Sequence, residues 1–93
     1  MRLKDSEQLA ILSTVKRLDE NARVYLFGSR VDDTKKGGDI DLLIMSSVLN
    51  RNDNRTIKMK LYELLGELKI DLVLAVDDSD PFVKLALETG VEL

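Results

Sequence analysis

Asp39 and Asp41 stand two residues apart in the run Asp39-Ile40-Asp41-Leu42, and this spacing is the first sign of chemistry in the chain. Along an extended strand alternate side chains share a face, so both carboxylates would leave one side while Ile40, Leu42 and Ile44 leave the other. Residues at i and i+2 lie about 6.5–7 Å apart along a strand, close enough for both carboxylates to grip one pair of divalent cations. Asp71, flanked by Ile70 and Leu72, repeats the pattern on a later strand. If the two strands are neighbours, three carboxylates converge, and a divalent cation relieves their mutual repulsion. Taken alone, an Asp-x-Asp pair is more often a solvated turn than a metal site.

Gly28-Ser29-Arg30 directly follows the apolar run Val24-Tyr25-Leu26-Phe27. A glycine there lets backbone approach a ligand closely, and a helical turn starting at Ser29 would aim free N–H groups at an anion. The Ser29 hydroxyl can donate to a phosphate oxygen and Arg30 can neutralise it. An ordinary strand-ending turn with a surface arginine explains the same three residues when they are read by themselves. Ordered as Gly-Ser, loop, Asp-x-Asp and later Asp, the set is far more specific than any member.

Missing residue types narrow the chemistry further. With no His and no Cys among 93 residues, imidazole bases, thiolate nucleophiles and ordinary zinc sites are excluded. Catalysis must rest on carboxylates, hydroxyls, Lys and Arg, and a metal held by oxygen alone points to Mg²⁺ or Mn²⁺. The formal net charge of −3 argues against a broad nucleic-acid-binding surface. Arg30, Lys35 and Lys36 still form a short basic stretch suited to a local phosphate.

The elements that must position these residues are readable from periodicity. Asp5 or Ser6 is the expected cap of a helix running to about Glu20, with Ile11, Val15 and Leu18 on one stripe. A strand follows over Val24–Phe27, then a polar connector over 29–38, then a strand over Asp39–Ser46 with an apolar second half. Ile57, Leu61, Leu64, Leu65 and Leu68 predict a second helix over about Asp53–Glu67, capped from the loop Asn50–Asn54. Ile70–Val76 reads as a third strand. Asp80 and Pro81 are a cap and first helical position for a last helix that stops at Gly90, with Val91–Leu93 as a short edge strand.

The expected architecture is α/β (α+β): a small mixed sheet with one layer of helices packed on one face, forming a single domain over residues 1–93. A 44% hydrophobic and 33% charged composition suits a globular chain, but two Phe, two Tyr and no Trp leave a thin core. Self-association as a homo-oligomer or a partner chain would add stability. No apolar run reaches the ~20 residues of a membrane span and no signal-peptide pattern opens the chain, so the default expectation is cytoplasmic.

The runs Leu26-Phe27-Gly28-Ser29-Arg30 and Gly38-Asp39-Ile40-Asp41-Leu42-Leu43-Ile44 closely resemble the signature of the polymerase-β-like nucleotidyltransferase superfamily. The chain is most similar to its minimal members, many of them encoded beside a helical HEPN-domain protein as a toxin–antitoxin pair. The resemblance implies that Gly28 and Ser29, helped by Arg30, hold the triphosphate of ATP. It implies that Asp39 and Asp41 bind two Mg²⁺ ions and that Asp71 completes one metal site and accepts the hydroxyl proton. The implied reaction is nucleotidyl transfer, AMP from ATP, to a hydroxyl such as a tyrosine of the HEPN partner, silencing that toxin. The sequence holds no evident acceptor-binding segment, so a second chain would supply the acceptor; Met59 and Tyr62 are candidates for that contact, with ordinary core as their other explanation. The competing reading is a non-catalytic antitoxin of the same fold that neutralises its partner by complex formation alone.

Overall fold

In the computed structural model, residues 4–28, 39–66 and 69–93 are described. The element order is α1 (Asp5–Leu18), β1 (Arg23–Phe27), β2 (Asp39–Met45), α2 (Arg51–Leu65), β3 (Lys69–Ala75), α3 (Pro81–Thr89) and β4 (Val91–Glu92). The strands form one mixed sheet in the order β3-β2-β1-β4. β1 is antiparallel to both β2 and β4, whereas β2 and β3 are parallel. Parallel neighbours need a long crossover, and α2 supplies it.

Local chemistry sets the helix ends. Lys4, not Asp5 or Ser6, is the N-cap of α1. The Glu7 carboxylate reaches back to accept the Lys4 N–H at 2.9 Å, which leaves Asp5 inside the first turn near the positive end of the helix dipole. The helix stops at Leu18 rather than Glu20 because the Asp19 carboxylate is engaged elsewhere: it accepts from the Asn21 N–H at 3.1 Å and from the Ser46 hydroxyl at 2.6 Å. Asn50 caps α2 through a reciprocal pair, its side chain accepting from the Asp53 N–H at 3.1 Å and its own N–H donating to Asp53 at 3.0 Å. This starts α2 two residues before the expected Asp53. Asp80 and Pro81 open α3 as the sequence predicts, the Asp80 carboxylate accepting from the Phe82 N–H at 2.8 Å. At Gly90 a Cβ would lie 2.6 Å from the Ala86 carbonyl and 2.8 Å from that of Leu26, so only glycine lets the chain turn from α3 into β4.

The main core lies on one face of the sheet. Val24, Leu26, Ile40, Leu42, Ile44 and Ile70 meet Ile11 and Val15 of α1 and Ile57 and Leu61 of α2, all buried. Burial of each such side chain is worth about 1.5–3 kcal/mol. The α+β fold and mixed sheet agree with the sequence expectation, but the single helical layer does not. Leu43, on the opposite face, is buried with Val83 and Ala86 of α3, and Tyr25, Phe27, Met45 and Val73 surround them. The physical reason is visible in β2: the face that begins with Asp39 and Asp41 continues with Leu43 and Met45, and that apolar half needs its own cover. Two helices thus cover one face, and α3 covers the apolar end of the other. Met59 and Tyr62 on α2 are 61% and 38% exposed and do not belong to the core. Among the described residues no helix is long and apolar enough to cross a membrane.

Candidate active site

The parallel pairing of β2 and β3 aligns two similar tripeptides, Asp39-Ile40-Asp41 and Lys69-Ile70-Asp71, residue for residue. Ile40 and Ile70 are fully buried in the main core. With both isoleucines drawn inward, the pleat turns Asp41 and Asp71 to the opposite face, where they stand as direct register partners. Both are half-buried. On the other side of β2, Phe27 is the antiparallel partner of Asp41. A row Phe27–Asp41–Asp71 therefore crosses three adjacent strands on one face of the sheet.

Gly28 ends β1 with φ +79°, in the left-handed region that favours glycine. A Cβ at this position would overlap the Asp41 carboxylate, with the Asp41 Cγ 3.1 Å away. Backbone and carboxylate thus occupy the space a side chain would need. Two residues singled out in the sequence for separate reasons, phosphate approach and metal binding, prove to be neighbours.

The other sequence-predicted residues are placed only in part. The backbone of Asp39 lies in β2 opposite Lys69; the Asp39 side chain lies outside the described residues, as do Ser29 and Arg30 and the connector that carries Lys35 and Lys36. Sequence reasoning missed Lys69, the exposed register partner of Asp39 on β3. It also missed the aromatic neighbour of the row: the Phe82 ring stands edge-to-face on Phe27, centroids 5.7 Å apart and planes at 81°. Only the Asp-x-Asp and Lys-x-Asp echo could have signalled Lys69; nothing local signals Phe82.

An acidic turn, Asp77–Asp80, follows the far end of β3 and leads into α3. The Ser79 hydroxyl and then its N–H, the latter at 3.0 Å, hold the Asp77 carboxyl below its ordinary value. A separate cleft of about 410 Å³ between α1 and α2, lined by residues including Arg17, Leu18, Lys60 and Leu64, opens on the face away from the carboxylates.

Carboxylate oxygens paired on adjacent strands are hard donors of the kind that suits Mg²⁺. Three helices on a four-stranded mixed sheet make a small α+β fold. Residues 10–93 match the family model described as polymerase beta, nucleotidyltransferase, and the chain belongs to that family. No curated protein matches the chain. Family membership supports a general role in nucleotidyl transfer.

Proposed function

We propose that residues 1–93 act as one nucleotidyltransferase domain that uses Mg²⁺ and ATP to move an adenylyl group to a hydroxyl. The observation that carries this reading is the Asp41–Asp71 pair, abreast on parallel strands, with the Gly28 backbone set against Asp41. Asp39, Asp41 and Asp71 are the residues that would hold Mg²⁺. When bound, Mg²⁺ neutralises the triphosphate and acidifies the attacking hydroxyl. The Gly28 backbone gives the triphosphate a close approach, the Ser29 hydroxyl donates to its oxygens, and Arg30 offsets its charge. Asp71 takes the proton from the acceptor hydroxyl. The acceptor oxygen bonds to the α-phosphorus, the bond from that phosphorus to the bridging oxygen breaks, and pyrophosphate leaves. Little covalent chemistry falls to the protein, so positioning and charge suffice.

The acceptor in this proposal is a tyrosine of a HEPN-domain partner, and the chain acts as that protein's antitoxin in the cytoplasm. Support comes from the likeness of 26–30 and 38–44 to minimal nucleotidyltransferases that work in such pairs. Incubation with Mg²⁺, ATP and the HEPN-domain protein, followed by intact-mass measurement, tests it. Transfer predicts an adenylyl mass increase on the partner that Asp41→Asn abolishes. Neutralisation of the partner with unchanged mass, preserved in Asp41→Asn, would favour antitoxin action by complex formation instead.

A further inference from the structure

Phe82 is 50% exposed although it lies in the first turn of α3, the helix packed on the apolar half of the sheet face that also carries Asp41 and Asp71. Its ring is not adrift. It meets Phe27 edge-to-face, and Phe27 is the register partner of Asp41. Leu85, one helical turn further along α3, is 57% exposed and extends the same apolar shelf. The row Phe82–Phe27–Asp41–Asp71 thus passes from a fixed aromatic surface to a pair of carboxylates.

The polarity of this row decides what it fits. The N-terminus of α3 offers little to an anion, because Pro81 has no N–H and the Asp80 carboxylate already accepts from Phe82. Asp77, Asp78 and Asp80 add negative charge there. A phosphate is disfavoured at this end, whereas a flat, uncharged ring is not. At the opposite end, paired carboxylates suit a cation-bound phosphate. A nucleoside triphosphate matches both ends in one orientation: phosphates toward Asp41 and Asp71, base against Phe82.

We propose that Phe82, braced by Phe27, is the stacking platform for the base of the nucleotide bound at this site. The inference rests on the nucleotide reading given above and adds the residue that holds the base. Stacking acts through the π-face that every base has, so it strengthens binding of any nucleoside triphosphate over its phosphates alone.

Calorimetric titration of Mg²⁺–ATP and Mg²⁺–tripolyphosphate into the wild type, Phe82→Ala and Phe82→Leu provides the test. Phe82→Leu keeps apolar bulk against Phe27, so folding is preserved while the aromatic face is lost. Both variants should bind ATP about 10-fold more weakly, with tripolyphosphate binding unchanged. The chain has no Trp, so Phe82→Trp supplies a single indole, selectively excitable beside the two tyrosines, whose emission ATP should alter and tripolyphosphate should not. ATP binding by the wild type with equal affinity in Phe82→Leu overturns the base platform alone. Failure of the wild type to bind ATP overturns the nucleotide reading and the platform together.

Discussion

Gly28 and Asp41 are in such close contact that a single methyl group at residue 28 would strike the Asp41 carboxylate. The end of β1 and the first residues of β2 are therefore shaped as one surface. Gly28→Ala meets two obstacles: that overlap, and a φ of +79° that costs an L-residue about 1–2 kcal/mol. The expected outcome, read from urea unfolding, is an unfolding free energy lower by at least that amount, together with loss of nucleotidyl transfer. Normal stability and transfer in the variant would contradict the packing described.

Asp71 stands directly beside Asp41 on the neighbouring strand. Like charges directly opposite each other in a sheet are destabilising, by up to about 1 kcal/mol. Asp71→Asn should raise the melting temperature in the absence of divalent cations and abolish the further rise that Mg²⁺ with ATP gives the wild type. Thermal melts with and without Mg²⁺–ATP check both signs.

Ser46 knots the far end of β2 to α1. Its hydroxyl donates to Asp19 at 2.6 Å and accepts from the Val48 and Leu49 N–H groups, each at 3.1 Å. Ser46→Ala leaves a buried N–H without its acceptor and should lower stability by about 1–3 kcal/mol. ATP affinity, read by calorimetry, should not change, because this end of the strand is remote from Asp41.

Asp77 provides a pH-dependent probe of the turn between β3 and α3. Its carboxyl is held below the ordinary value of 3.8 by the Ser79 hydroxyl and N–H. A depressed folded-state value means the contribution to stability is present above the ordinary carboxylate range and is lost as pH falls through the folded value. A carbon-detected NMR titration should place the Asp77 midpoint below 3.8, and Ser79→Ala should move it upward.

Much of this architecture is legible in the residues. Asp80-Pro81 and Gly90 bound α3 because each acts through its own local backbone chemistry, and the alternation in Asp39–Ile44 assigns two faces to β2. The cap of α1 at Lys4 is not legible in the residues because a lysine has no capping oxygen; the decisive contact comes from Glu7 reaching back. The second helical layer has no local signal, because Leu43 and Met45 share a face with carboxylates and no short pattern says that one face is polar at one end and covered at the other. Asp41 and Asp71 were legible as types but not as partners, since strand order arises from the α2 crossover. The Phe27–Phe82 contact joins residues distant in sequence and had no local signal.

The most direct test of the central claim follows the α-phosphorus. Wild type and Asp41→Asn are incubated with Mg²⁺ and the HEPN-domain protein, using ATP labelled at the α-phosphate in one arm and at the γ-phosphate in the other. The account predicts label on the partner from the α-position only, and none with Asp41→Asn. Label from the γ-position, or α-label that persists in Asp41→Asn, would contradict it.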